Sequence, residues 1–203
     1  MKIQYLNSTF PYILIDDFYS DQELNLIWEE LLFLCYPHKL IKSTKETGGA
    51  LSLDGELLKN TNHVYLDGFY SNRDYSNILR VNRKIFDNLQ EIMWNHDSWF
   101  YKNLMFSLDY TQVSYYEDGD DYRPHQDCSH VTSLSWFYKE PKAFTGGDLF
   151  FPQYDVKIEV LNNRTILFPS HVFHSVDKIV MDQKNRNTKS GRFCISHFLQ
   201  NTM

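Results

Sequence analysis

The chain has 203 residues, of which 42% are hydrophobic and 16% aromatic, so we expect one folded domain with a sizeable core rather than a disordered chain. Its formal net charge of −6 at pH 7 gives no electrostatic basis for binding nucleic acid or an anionic membrane. No apolar run approaches the roughly 20 residues of a membrane helix, and three widely spaced cysteines argue against a disulfide framework, so we expect a cytoplasmic protein.

The first half of the chain predicts one short strand and two helices. The apolar run at 12–15 is typical of a buried strand. Ser20 and Glu23 form a capping box that opens a helix, and apolar residues then recur at helical spacing until Pro37. A second helix is predicted over 77–95, because its apolar residues fall on one face.

Residues 42–55, between the two predicted helices, are polar and include Gly48 and Gly49. This composition predicts a loop. A lid over a site and an ordinary surface connection fit the segment equally well.

The second half of the chain predicts many short strands separated by turns. The predicted strands cover 104–108, 111–115, 131–136, 148–151, 156–160, 165–168 and 192–196. Helices followed by many strands predict a mainly β fold, a sandwich or jelly roll with the N-terminal helices packed on one sheet. We therefore expect a single domain over 1–203, with a helix-rich support region at 1–100 and a strand-rich core at 101–203.

His125, Asp127 and His174 predict a metal site in this core. His125 and Asp127 form a His-x-Asp step, and alternation along an extended strand places both side chains on one face. Two imidazoles and one carboxylate on one side of a metal form the facial triad of non-haem Fe(II) oxygenases, which leaves the opposite coordination positions open. The chain has eight histidines, so His-x-Asp alone would be weak; Arg192 on the last predicted strand, suited to a dicarboxylate, strengthens it.

Two alternatives to this assignment concern the metal and the distal ligand. Zinc also uses two histidines and a carboxylate, but the His-Glu-x-x-His helix typical of many zinc hydrolases is missing from the sequence. His171 competes with His174 for the distal position. His174 is favoured because the sequence after it continues as a strand, whereas His171 follows a Pro-Ser turn. His130, close to the triad in sequence, is a candidate for substrate contact only.

Four stretches around these residues resemble the 2-oxoglutarate- and Fe(II)-dependent dioxygenases, and within them the prolyl 4-hydroxylase-like group. They are 115–127 (YYEDGDDYRPHQD), 145–152 (TGGDLFFP), 166–176 (ILFPSHVFHSV) and 191–193 (GRF). Residues 10–20 also look like the usual first strand and helix of this group. The resemblance implies a double-stranded β-helix, a jelly-roll, cupin-like barrel with the iron near one open end, so that 101–203 would be the catalytic core.

The resemblance also implies roles for individual residues. His125, Asp127 and His174 would bind Fe(II), and Arg192 would bind the distal carboxylate of 2-oxoglutarate. The further residues implied in co-substrate binding are Tyr115, Thr132, Trp136 and Ser196, with Leu134 on the same inward face of its strand.

The sequence departs from the group at two places. Trp136 stands where some relatives have a tyrosine whose hydroxyl also holds the distal carboxylate, so that contact would be lost or mediated by water. The segment between His174 and Arg192 is long and polar at 181–189, which predicts an inserted hairpin near the mouth of the active site and a second candidate lid.

The resemblance implies a hydroxylase that uses O₂ and 2-oxoglutarate, with ascorbate as a further candidate cofactor. Halogenating relatives carry a small residue at the position of Asp127, so hydroxylation is favoured. The expected substrate is a peptide or protein residue of the prolyl 4-hydroxylase type. A free amino acid or other small metabolite is the alternative, and a non-catalytic metal-binding barrel is the alternative from another class. Neither a nucleic acid nor a membrane is an expected partner, and the sequence predicts no oligomeric state.

Overall fold

The computed structural model describes residues 1–47 and 49–201, so Gly48 in the predicted loop lies outside the described residues. The strands are β1 (Lys2–Leu6), β2 (Tyr12–Asp16), β3 (Ile41–Lys42), β4 (Lys59–Asn60), β5 (Asn62–Tyr65), β6 (Leu108–Tyr116), β7 (Asp121–His125), β8 (Val131–Phe137), β9 (Phe144–Thr145), β10 (Leu149–Phe151), β11 (Val156–Ile158), β12 (Arg164–Pro169), β13 (His174–Val176), β14 (Val180–Met181) and β15 (Arg192–Gln200). The α-helices are α1 (Asp21–Leu34), α2 (Leu66–Phe69), α3 (Asn77–Asn82) and α4 (Lys84–Asp87). Short 3₁₀ turns cover Arg73–Tyr75 and Gln183–Asn185, and a π-helical turn covers Gln90–Trp94.

Two facing antiparallel sheets form the body of the protein. The larger has eight strands in the order β1-β2-β12-β8-β15-β6-β5-β3, and the smaller has five in the order β11-β10-β13-β7-β4. This arrangement confirms the predicted mainly β, jelly-roll fold class. The sheets do not close into one hydrogen-bonded barrel, so the expected barrel is in fact two facing sheets with a cavity between them.

The eight-stranded sheet separates two apolar cores, because side chains alternate between its faces. On the central strand β15, Phe193, Ile195 and Leu199 pack into the core that the helices cover. Cys194 packs into the second core, which lies between the two sheets. The inward face of this strand therefore supplies side chains to the space between the sheets.

The capping box predicted at the start of α1 is confirmed. The backbone N–H of Glu23 donates to Ser20 Oγ, and the Glu23 carboxylate accepts from the backbone N–H of Ser20 at 2.7 Å. The helix buries Ile27 and Leu31 against the large sheet and ends at Leu34, before Pro37. It is 14 residues long, and none of the helices in the described part of the chain is long and apolar enough to cross a membrane.

The prediction of one continuous helix over 77–95 is wrong. The segment instead forms α3, α4 and a π-helical turn. Asn88 interrupts it with φ −120° and ψ 28°, and its side-chain amide donates to the Lys84 carbonyl at 2.9 Å. Asparagine side chains compete with the helical backbone in this way. The apolar spacing still predicted burial correctly, since Ile78, Ile85 and Ile92 are buried.

Strand predictions were reliable in the sheet centre and poorer at its edges. The predicted strand at 104–108 is wrong, since β6 begins only at Leu108 and Met105 is 69% exposed. The short strands β3, β4 and β5 were not predicted. They are polar and brief, and they owe their pairing to neighbouring strands rather than to local preference.

Candidate metal centre and co-substrate cavity

His125, Asp127 and His174 meet between the two sheets. His125 ends β7, His174 begins β13, and these two residues are paired across the adjacent strands. Asp127 follows β7 by two residues and turns its carboxylate between the imidazoles. Its oxygens lie 3.7 Å from His125 Nε2 and 3.4 Å from His174 Nε2. The three ligand atoms lie within 4.8 Å of one another, a spacing that one metal ion can bridge.

Backbone hydrogen bonds fix both imidazoles with Nε2 towards this centre. His125 Nδ1 lies 2.9 Å from the Arg123 carbonyl, and His174 Nδ1 lies 2.9 Å from the Val172 carbonyl. A carbonyl can only accept, so each Nδ1 carries the proton and each Nε2 presents a lone pair. Such a second hydrogen bond is what orients metal-binding histidines.

A group of hydroxyls holds the Asp127 carboxylate in place. Thr132 Oγ1 donates to Asp127 Oδ2 at 2.7 Å and also contacts Ser170 Oγ at 2.8 Å. Ser170 in turn contacts Ser129 Oγ at 2.6 Å, and its carbonyl accepts from the Asp127 backbone N–H at 3.0 Å. Thr132, expected to bind the co-substrate, therefore positions a metal ligand.

The electrostatics keep the ligands ready for a cation. Burial lowers the pKa of His125 to about 3, with a further contribution from His174. Burial raises the pKa of Asp127, but the histidines and the Thr132 hydrogen bond outweigh it and lower that pKa overall. His125 is consequently neutral and Asp127 ionised at neutral pH, as metal binding requires.

Arg192 lies in the same cavity. It is a buried cation without a hydrogen-bond partner among the described residues. It is fully buried, and within residues 1–47 and 49–201 its Nε and both Nη atoms have no hydrogen-bond partner. Its guanidinium carbon lies 4.7 Å from the Tyr116 ring centroid and 5.7 Å from that of Trp136. Trp136 Nε1 is also buried without a partner among the described residues. A buried guanidinium of this kind fits a bound carboxylate.

Gly147, in the stretch 145–152, allows the chain to pass close to Arg192. Its φ is +76°, and a Cβ there would lie 2.4 Å from Ile179 Cδ1 and 3.2 Å from Arg192 Cδ. Only glycine combines this backbone conformation with such a close approach.

The triad and Arg192 share a cavity of about 110 Å³. The other residues on its walls include Gly49, Ala50, Lys59, His63, Tyr65, Gln112, Tyr116, Tyr122, Leu134, Val176, Cys194, Ser196 and Phe198. Ser196 and Leu134 thus lie where they were expected, and the loop at 42–55 contributes Gly49 and Ala50.

Tyr115 requires a correction, because it faces away from the cavity. Its ring packs against Phe193 in the helix-covered core, and its hydroxyl donates to Glu117 and accepts from the Gly191 backbone N–H. Alternation along β6 places the next residue, Tyr116, on the cavity wall. Trp136 contacts the site only through Arg192, at the buried end of the cavity.

Lys59 and His63 are wall residues that the sequence analysis did not identify as part of the site. Lys59 reaches across from β4 in the small sheet to the large one, where Nζ donates to Gln112 Oε1 and to Ser114 Oγ at 3.0 Å. Burial lowers its pKa to about 8. Burial and the nearby Lys59 lower the pKa of His63 to about 4, and His63 Nδ1 lies 2.8 Å from Ser43 Oγ.

The remaining predicted residues lie outside the cavity. His171 is exposed beside Phe100, so the preference for His174 agrees with the geometry, and His130 is exposed. The insert at 181–189 was expected near the mouth, which is wrong. It pairs with β9 through β14, and Arg186 binds Asp118 at 3.0 Å in the turn after β6. Of the described wall residues, none comes from this insert.

The comparisons with known proteins find similarity to hydroxylases. No family model matches the sequence. Over 111 residues, 45% of the chain, it is 29% identical to an uncharacterized PKHD-type hydroxylase from Synechocystis and covers 36% of that protein. A Pseudomonas putida prolyl-4-hydroxylase superposes with a TM-score of 0.63 at 14% identity, over 95% of this chain and 93% of that one. The viral collagen prolyl hydroxylase of Paramecium bursaria Chlorella virus-1, in its 2-oxoglutarate complex, gives 0.60 at 16% identity, over 94% and 96%.

These similarities confirm the resemblance predicted from the sequence, and the chain has the fold of the prolyl 4-hydroxylase-like 2-oxoglutarate oxygenases. The chain spans about a third of the curated relative that it matches, so the activity of that whole protein does not transfer to it by similarity alone.

Proposed function

We propose that this chain, which has the fold of the prolyl 4-hydroxylase-like oxygenases, is an Fe(II)- and 2-oxoglutarate-dependent hydroxylase that acts on a peptide or protein. One observation carries the proposal. A three-ligand metal site and a buried, unpaired arginine lie on the walls of one cavity. A metal that keeps open positions and a cation that lacks an anion together fit a chelating dicarboxylate.

His125, Asp127 and His174 would hold the iron. Bound Fe(II) would supply the oxidising power to insert one oxygen atom of O₂ into a substrate C–H bond, while 2-oxoglutarate is oxidised to succinate and CO₂. The protein contributes orientation and a dry cavity rather than acid–base catalysis. Thr132 fixes the carboxylate ligand, and Asp127 itself occupies the position that halogenation would require free.

Arg192 would bind the distal carboxylate of 2-oxoglutarate. The guanidinium offers a planar pair of N–H groups, which matches the two carboxylate oxygens. The rings of Tyr116 and Trp136 pack against it and the guanidinium is fully buried, so the ion pair would form in a low-dielectric environment where it is strong. Trp136, which packs against Arg192, stands where some relatives have a tyrosine, and its Nε1–H is buried without a partner among the described residues.

The proposed peptide substrate would lie in a groove beside the cavity. The groove shares Tyr65 and Phe198 with the cavity wall and continues along Tyr110 and Gln126. Tyr65 and Tyr110 are 45% and 41% exposed. Open grooves with aromatic walls accept extended, proline-containing peptides. A closed pocket would suit a free amino acid better.

Succinate release from the purified, Fe(II)-loaded protein tests the proposal. Proline-containing peptides and free amino acids are screened in parallel, with and without ascorbate. We expect 2-oxoglutarate turnover that peptides stimulate and that Asp127→Ala abolishes, whereas His171→Ala retains it. Turnover that survives Asp127→Ala would refute the metal assignment. Stimulation by free amino acids alone would refute the peptide substrate.

A further inference from the structure

Lys59 is a second buried cation in the cavity, and neither the triad nor Arg192 accounts for it. It is 6% exposed, although lysine is almost never this buried without a charged partner. It takes part in no ion pair within the described residues (1–47 and 49–201). A buried charge without a counterion is unfavourable, so the protein retains this one at the expense of stability.

The position of Lys59 is fixed from both sheets. It stands opposite Tyr122 on β7, and Tyr122 stacks on His125 with ring centroids 3.4 Å apart. From there Nζ reaches the large sheet and donates to Gln112 and Ser114. An ammonium has three N–H donors, so one remains for a ligand in the cavity that Lys59 lines.

The strand register shows that the two cations are held at different positions along the large sheet. On β6 and β15, Tyr116 is paired with Arg192, and Ser114 and Gln112 follow one and two pleat repeats further on. Each repeat is about 7 Å, so the two residues that hold Lys59 Nζ lie about 7–14 Å along the sheet from the backbone position of Arg192. An extended five-carbon dicarboxylate with a hydrogen bond at each end bridges about 10 Å. The two cations are therefore spaced for its two ends.

We propose that Lys59 binds the carboxylate of 2-oxoglutarate at the metal side, opposite the end that Arg192 holds. The inference rests on the proposed function, since it assigns a residue to that co-substrate. Lys59 then anchors the keto-acid end beside the triad while Arg192 anchors the tail. The two contacts hold the molecule along the sheet in a single direction.

Two ligands separate the roles of the two cations, because they have the same keto-acid end but differ at the distal end. The first is 2-oxoglutarate. The second is 2-oxopentanoate, which keeps the keto-acid end but has a methyl group instead of the distal carboxylate. Binding is measured without O₂ on the Fe(II)-loaded protein, by calorimetry and by the visible charge-transfer absorption of an iron-chelated keto acid.

Lys59→Met is expected to weaken both ligands by the same factor, on the order of 10- to 100-fold, the range for a charge-assisted hydrogen bond. Arg192→Met, the matched control, is expected to weaken 2-oxoglutarate and leave 2-oxopentanoate unchanged. Unchanged 2-oxopentanoate binding in Lys59→Met would overturn the inference, whether or not binding of 2-oxoglutarate is weakened.

Two controls keep the result interpretable. Far-ultraviolet circular dichroism and metal affinity show whether Lys59→Met is folded, and Lys59→Gln, which keeps a hydrogen-bond donor, replaces it if it is not. If the wild-type protein binds no 2-oxoglutarate, the proposed function itself fails. If the wild type binds it, Arg192→Met loses it and Lys59→Met behaves as wild type, only the assignment of Lys59 fails.

Discussion

Replacing Arg192 by methionine should stabilise the protein when no co-substrate is bound. The guanidinium has three nitrogens without a partner among the described residues, and buried unsatisfied donors are unfavourable by about 1–3 kcal/mol each. The cation–π contact with Tyr116 offsets about 1–2 kcal/mol of this. Methionine keeps much of the packing volume. Even with each donor at the low end of its range and the cation–π contact at the high end, we expect a net gain of at least about 1 kcal/mol, or a rise in Tm of at least roughly 2 °C for a chain of this size.

The same substitution should reduce the stabilisation that 2-oxoglutarate gives. A ligand that binds only the folded state adds about 2.7 kcal/mol at a concentration 100 times its Kd. The wild-type protein should show that gain, whereas Arg192→Met, which binds 2-oxoglutarate more weakly, should show a clearly smaller one at the same concentration. Thermal unfolding of the Mn(II)-loaded protein, with and without 2-oxoglutarate, measures both effects.

Arg164→Met is the matched control, because Arg164 is paired with Asp16 at 2.6 Å. Loss of that ion pair should lower Tm but keep the shift caused by 2-oxoglutarate. If Arg192→Met lowered Tm in the absence of ligand, or kept the ligand shift, the view of Arg192 as a buried cation awaiting a carboxylate would be refuted.

Three further predictions concern the ligands, their support and pH. His174→Ala should abolish metal binding and His171→Ala should not, as measured by Mn(II) titration; the reverse result would exchange their roles. Thr132→Val should weaken metal affinity about 10- to 100-fold, whereas Thr165→Val, which removes a hydroxyl bonded to Ser135 in the core, should leave it unchanged; equal effects would refute a specific role for Thr132. Burial lowers the pKa of Lys59 to about 8. Since the protonated form binds anions, the affinity of the wild type for 2-oxoglutarate should be constant below pH 8 and fall above it. Lys59→Met should not show this fall. If it does, the pH dependence belongs to a group other than Lys59. The charged or titratable groups that face Lys59 are His63, Tyr122, Asp127, Arg192 and Cys194.

The residues of the candidate metal site could be picked out from the sequence because their main signal is local, and the structure brings all three together. His125 and Asp127 are two residues apart. A facial triad needs one more histidine, and the sequence offers His174 and His171 as candidates for that third ligand. Tyr115 shows where this reasoning ends. A shift of one residue on a strand moves a side chain to the opposite face of the sheet, and the motif alone did not reveal which of two adjacent tyrosines faces inward.

Lys59 could not have been predicted from the sequence by the same means. It lies on a strand of two residues, and isolated lysines are ordinarily on the surface. Its burial follows from the pairing of β4 with β7 and from the distance between the sheets, both of which depend on the whole fold. The interrupted helix over 77–95 failed differently, because hydrophobic spacing predicts which residues are buried but not where an asparagine breaks the backbone ladder.

The burial of Trp136 gives the protein an intrinsic optical probe of its own cavity. Of the four tryptophans, all within the described residues, Trp136 is fully buried, whereas Trp94 and Trp99 are exposed and Trp28 is partly buried. Its indole should therefore emit at shorter wavelength than the exposed ones, and it lies beside the Arg192 guanidinium. A carboxylate arriving there would change the emission of this one residue, so binding can be followed in the unmodified protein without a label, a metal signal or turnover.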